Sequence, residues 1–186
     1  MNIIETALPG VVILEPRTHK DIRGFFMEMY SARRYSEAGI PEKFVQDNIS
    51  SSRGNVVRGL HYQIRNPQGK LVSVITGSVC DVVVDIRYGS PHFGQWICVE
   101  LNQENRRQIY VPPGFAHGFC SLSDDVLFHY KCTDYYHSED EHGVLWSDKD
   151  IGVKWPVTEG ASLSPKDLSL PLLHQISSEH LPAYSS

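Results

Sequence analysis

Between residues 56 and 132 short apolar segments recur every few residues, each closed by a turn signal, and no helical period separates them. Residues 71–76 lead into Gly77-Ser78, a hairpin signal, and then into residues 79–87. In that second segment Cys80, Val82, Val84 and Ile86 share one parity, and Asp81, Val83, Asp85 and Arg87 share the other. Period-two alternation of this kind predicts one greasy face and one polar face. Tyr88-Gly89-Ser90-Pro91 is a turn, residues 95–101 a strand, 102–105 a turn and 106–111 a strand. Pro112-Pro113-Gly114 breaks the chain before residues 115–122, and residues 126–132 close the series. Strands at this spacing predict an all-β sandwich or barrel.

The flanks add less. Val11-Val12-Ile13-Leu14 and Phe25-Phe26-Met27-Glu28-Met29-Tyr30 are strand-like. One helix is expected to follow, with Ser31 as N-cap, Gly39 closing it and Pro41 preventing continuation. Residues 46–55 are polar and predict a loop. Beyond Tyr136 the chain is irregular, with one helix start at Ser164-Pro165-Lys166-Asp167. The 186 residues are enough for one domain, expected over 1–186, and too few for two ordinary ones.

Composition excludes several functions. No apolar run approaches the roughly 20 residues that span a bilayer, and Met1-Asn2-Ile3-Ile4-Glu5 lacks a signal peptide's basic start. A cytoplasmic location with no membrane association is expected. Lys+Arg number 17 against 22 Asp+Glu, so there is no basic excess for nucleic acid. Cys80, Cys98, Cys120 and Cys132 form no C-x-x-C pair, and are expected to be buried free thiols rather than disulfides or zinc ligands. The common dinucleotide, Walker A, serine hydrolase and zincin motifs are all missing.

Pro112-x-Gly114-x-x-His117 resembles the second motif of the cupin jelly rolls. Metal cupins supply two further ligands from an H-x-H pair. Here that place reads Gly59-Leu60-His61-Tyr62-Gln63, with a neutral amide in place of the second imidazole. Transition metals prefer imidazole or carboxylate, so the pattern keeps the barrel and argues against a metal.

Asp21-Ile22-Arg23-Gly24-Phe25-Phe26, Gln46-Asp47-Asn48, Arg58-Gly59-Leu60-His61-Tyr62-Gln63, Gly69-Lys70-Leu71-Val72, Asp81-Val82-Val83-Val84-Asp85-Ile86-Arg87 and Pro113-Gly114-Phe115-Ala116-His117-Gly118-Phe119 follow one another in that order. Together they resemble the dTDP-4-dehydrorhamnose 3,5-epimerase family, from about Ile4 to the region of Leu173. The resemblance implies a cofactor-independent jelly-roll homodimer acting on a dTDP-4-keto-6-deoxy sugar.

Epimerisation beside a ketone needs a base, an enolate stabiliser and an acid on the opposite face. By resemblance His61 is the proton acceptor, and imidazole titrates near neutral pH. Tyr130, in Phe128-His129-Tyr130-Lys131, matches the proton donor, since a phenol keeps its proton at pH 7. Asp167 matches the carboxylate that orients the base, with Asp81 or Asp85 as alternatives. Lys70 and His117 are carried over as sugar-pocket residues. Arg23 and Arg58 are implied as diphosphate ligands, each beside a glycine that allows close approach. Glu28, Gln46, Asn48, Glu141 and Lys166 are implied as further binding positions. Tyr135, Tyr136 and Trp146 are the candidates to stack on the nucleotide base. A monofunctional 3- or 5-epimerase would keep the same base and donor, and a metal cupin would need a better donor set.

Overall fold

The computed structural model describes every residue except Pro41, Glu42, Thr158, Ser185 and Ser186. Two antiparallel sheets face each other in a jelly roll. The first has six strands in the order β1 (Asn2–Glu5), β2 (Val12–Glu15), β10 (Gln108–Val111), β7 (Lys70–Thr76), β12 (Asp125–Cys132) and β5 (Gln46–Arg53). The second has five: β13 (Glu141–Gly143), β6 (Val57–Gln63), β11 (Phe115–Ser121), β8 (Ser78–Asp85) and β9 (Trp96–Asn102). A hairpin of β3 (Thr18–Asp21) and β4 (Gly24–Met27) forms its own two-stranded sheet, and the Arg106 guanidinium lies 4.1 Å over its Phe25 ring.

Side-chain parity builds the core. Val72 and Val74 of β7, Val79 and Val83 of β8, Val99 and Leu101 of β9, and Phe119 and Phe128 meet between the sheets. The outer face of the five-stranded sheet is also covered. Cys80, Val82, Val84 and Ile86 pack beneath Val144, Ile151, Trp155, Leu173 and Leu181 of the C-terminal segment. A third cluster seats α1 (Ala32–Glu37) through Tyr35 against Leu14, Leu71 and Tyr110.

Several expectations need correction. Residues 46–55 are not a loop, because residues 46–53 form β5, paired along its whole length with β12. Its inward side chains, Gln46, Asn48 and Ser50, line a cavity, so the strand carries no apolar period to read. Gly77-Ser78 does not turn a hairpin: β7 and β8 belong to different sheets, and Gly77, at φ +82°, turns the corner between them. The polar parity of β8 faces inward, with Asp81 and Asp85 fully buried. Finally, Cys80 and Cys98 are joined in a disulfide between β8 and β9, while Cys120 and Cys132 are buried free thiols. Neighbouring strands bring the pair together diagonally, which sequence spacing does not reveal.

The helix after Ser31 is present, and Gly39 takes φ +85°; the expected stop at Pro41 lies outside the described residues. In α2 (Pro165–Leu168) the Ser164 hydroxyl accepts from Asp167 N at 3.0 Å, as its sequence predicts. The tail is less irregular than expected, because β13 adds an edge to the second sheet. Among the described residues no helix is long and apolar enough to cross a membrane.

Candidate active site

A cavity of about 750 Å³ opens between the sheets, floored by Phe119 and Phe128. The six-stranded sheet contributes Gln46, Asn48, Lys70, Tyr130 and Cys132; the five-stranded sheet contributes Arg58, His61 and His117. Glu141 enters from β13, and Lys166 and Asp167 from α2.

Arg58 and His61 share this cavity only because β6 is irregular. Three residues apart, they would lie on opposite faces of a regular strand. His117 of β11 pairs with His61 and Phe119 pairs with Arg58, so two steps along β11 match three along β6. The extra residue is a β-bulge, which re-aims the side chains around it. Gly59 sits there at φ +114°, and a Cβ on it would lie 2.6 Å from Gly118 Cα and 2.7 Å from His117 O. Gly59→Ala is therefore expected to cost at least about 2 kcal/mol through backbone strain and overpacking. A lowered urea midpoint with unchanged slope would register it; an unchanged midpoint would refute it.

His61 Nε2 donates to Asp167 Oδ1 at 2.6 Å. Its Nδ1 lies 3.8 Å from Glu141 Oε1 and is the ring nitrogen left to accept a proton. Burial works to raise the Asp167 carboxyl, but the His61 hydrogen bond and charge, with Gly59 N–H and the Ser164 hydroxyl, hold it below its ordinary range. The alternatives for this partner are committed elsewhere. Asp81 receives His117 Nε2 at 3.0 Å, and Asp85 holds Arg87 and Ser90.

Tyr130 stands on the opposing sheet, and burial first, then nearby Cys132 and Glu141, push its phenol above the ordinary value. It stays protonated at neutral pH. Burial pushes the Lys70 ammonium down, against the pull of Cys132, Glu141 and Asp81. Glu141 is a hub: it accepts from Lys166 Nζ, and from the Tyr136 hydroxyl at 2.6 Å. That bond, with burial, pushes the Tyr136 phenol up to about 12.

The rim is braced by hydrogen bonds. Arg58 Nε donates to Ser52 Oγ at 3.2 Å and its Nη2 to Ser51 O at 3.0 Å. Gln46 Nε2 donates to Asn48 Oδ1, and Tyr136 N to Gln46 Oε1. Of the aromatic candidates only Tyr136 lines the cavity; Trp146 packs against Trp155 on the outer face. Cys132 and Gln68 also line it, though no sequence motif singled them out. Cys132 was legible in principle, sharing parity with Phe128 and Tyr130.

Arg23 and Glu28 lie outside this cavity. Arg23, at the tip of the β3–β4 hairpin, is exposed and paired with its neighbour Asp21 at 2.6 Å. Glu28 contacts Arg34 at 3.1 Å. Gln63 also faces away: its amide donates to Asn66 O and Tyr135 O and accepts from His137 N. No group of three or more His, Cys, Asp or Glu side chains placed to hold a metal occurs among the described residues.

A family model described as dTDP-4-dehydrorhamnose 3,5-epimerase matches residues 5–175. The chain belongs to that family. A relative of that name from Salmonella typhimurium is 51% identical over 177 residues, 94% of this chain and 97% of the relative. One from Neisseria gonorrhoeae is 51% identical over 91% of this chain, which spans 52% of that longer protein. Among solved structures, dTDP-6-deoxy-D-glucose-3,5-epimerase RmlC from Legionella pneumophila, in complex with dTDP-4-keto-L-rhamnose, superposes with a TM-score of 0.97. It is 52% identical, and the match covers 100% of this chain and 99% of that one.

Proposed function

We propose that this chain inverts C3 and C5 of dTDP-4-dehydro-6-deoxy-D-xylo-hexose, giving dTDP-4-dehydro-L-rhamnose without a cofactor. One observation carries the reading: an Asp-oriented histidine and a protonated tyrosine enter one cavity from opposite sheets. A sugar held between them has a base on one face and an acid on the other. His61 Nδ1 takes the proton beside the ketone, and the C–H electron pair moves onto the ketone oxygen. The Lys70 ammonium favours that enolate charge. Tyr130 returns a proton to the opposite face, completing the inversion. His117, fixed by Asp81, shapes the pocket beside His61. Arg58 binds the diphosphate, with Gln46, Asn48, Glu141 and Lys166 around the nucleotide sugar and Tyr136 stacked on the base.

The test is NMR of the dTDP-4-keto sugar in D₂O with catalytic enzyme. Deuterium at both C3 and C5 is expected. Deuterium at one carbon would make this a monofunctional epimerase, and none would remove the function.

The donor set also bears on metal. Gln63 is turned away, and His61 and His117 each give Nε2 to a carboxylate. Activity is expected to survive exhaustive EDTA treatment; loss that one specific metal restores would overturn the metal-free reading.

The functional unit in this reading is a cytoplasmic homodimer, free of nucleic acid and membrane. Its support is the hairpin, where Ile22, Phe25 and Phe26 are exposed on an unpaired two-stranded edge. Seated on a second copy, that hairpin would carry Arg23 and Glu28 to the partner's cavity. Phe25→Asp with Phe26→Asp is expected to give monomers by light scattering and to raise KM at least about tenfold, the loss of one charged contact. A wild-type monomer at micromolar concentration would contradict the arrangement.

A further inference from the structure

Three of the four cysteines cluster on the outer face of the five-stranded sheet, with Cys80 and Cys120 on one rung and Cys98, the register partner of Val82, diagonal to Cys80. Cys80 of β8 is the register partner of Cys120 on β11 and is bonded to Cys98 of β9. The cluster runs from the interior to the edge. Cys80 and Cys120 sit in the apolar cluster under the C-terminal segment, while Cys98 is exposed on the edge strand. Cys120 keeps a free thiol, and none of the three lines the active-site cavity.

The Cys80 sulfur therefore has a second partner within reach. Directly opposed residues in an antiparallel pair hold their Cβ atoms about 4.5–5.5 Å apart, and bonded cysteines about 3.5–4.5 Å. Closing that difference takes about 1 Å of movement. In a reducing compartment a disulfide is usually transient or redox-sensing rather than a permanent staple. This last point rests on the cytoplasmic placement given above; the geometry does not.

We propose that Cys98, Cys80 and Cys120 form a thiol–disulfide exchange site that takes up one low-molecular-weight thiol at Cys98. The Cys120 thiolate attacks the Cys80 sulfur; a Cys120–Cys80 bond forms, and the Cys80–Cys98 bond breaks with its electron pair on Cys98. The exposed Cys98 thiolate then attacks a small disulfide RSSR, forming Cys98–SR and releasing RS⁻. Both steps are exchanges, so no further oxidant is consumed. Burial pushes the Cys120 thiol above its ordinary range, which keeps the attacking thiolate scarce and the exchange slow. The rung that closes lies next to Asp81, whose carboxylate fixes His117.

The experiment incubates the full chain, isolated without reductant, with oxidised glutathione, alkylates the remaining thiols and maps the peptides by mass spectrometry. Wild type is expected to carry one glutathione on Cys98, with Cys80 linked to Cys120. Cys120→Ser lacks the internal nucleophile, keeps the Cys80–Cys98 bond and takes none at Cys98. Cys120→Ala replaces it if a hydroxyl in the apolar cluster prevents folding. Cys98→Ser gives a second readout, since oxidised glutathione should then link Cys80 to Cys120. Three results each overturn the proposal: no uptake by wild type, uptake confined to Cys132, or equal uptake at Cys98 without Cys120. A Cys98→Ser chain that never forms the Cys80–Cys120 link does so as well. Both readouts are independent of epimerase activity, so failure here leaves the function above untouched.

Discussion

Tyr130→Phe will keep exchanging deuterium into the first carbon while inversion falls by about 10²–10⁴-fold, the range for general acid–base catalysis. The variant retains His61 and its Asp167 partner, so the enolate still forms and His61 can return the proton to the face it left. What it loses is the donor on the opposing sheet. Inversion followed by NMR and exchange followed by mass spectrometry, on the same folded sample, separate the two quantities. Equal loss of both would show that the tyrosine is needed for deprotonation or for holding the sugar. Full inversion would remove it from the mechanism.

His61→Ala is expected to lose both exchange and inversion, by at least about 10²–10⁴-fold, because no enolate forms without the base. Asp167→Asn should fall short of that loss but share its character. The carboxylate accepts the Nε2 proton at 2.6 Å and thereby leaves Nδ1 as the basic nitrogen. An asparagine can present an amide N–H instead, favour the other tautomer and withdraw stabilisation from the imidazolium. Exchange and inversion should drop together in this variant with KM little changed. A rise in KM alone would make Asp167 a binding residue.

The barrel was readable because its inward residues are mostly apolar. Strands β7 to β12 announce themselves through Val72, Val74, Val99, Leu101 and Phe128, at the period that pleating imposes. Strand β5 escaped because its inward positions, Gln46, Asn48 and Ser50, face a cavity and not a core. The bulge in β6 escaped for a different reason. Parity reasoning assumes a constant step of two, and Gly59 breaks it so that Arg58 and His61 share one side. Resemblance found both residues without the bulge, but it could not explain why they coincide. The three-residue edge β13 is too short to show any period, although it delivers Glu141. The Cys80–Cys98 pair depended on which strand lies beside which, and spacing along one chain does not encode that.

Asp167 reaches His61 across 106 residues of sequence. At roughly 5–20 residues per second of synthesis, the proposed base is made roughly 5–20 s before the carboxylate proposed to orient it. During that interval the sheets can assemble, but the outer face of the second sheet lacks its cover and shows Val82, Val84 and Ile86 to solvent. Exposed apolar surface of this kind favours aggregation in a partly made chain. The tail that hides this apolar face also carries Asp167, so the cover of the second sheet and the proposed orienting carboxylate are made in the same stretch of chain, after both sheets.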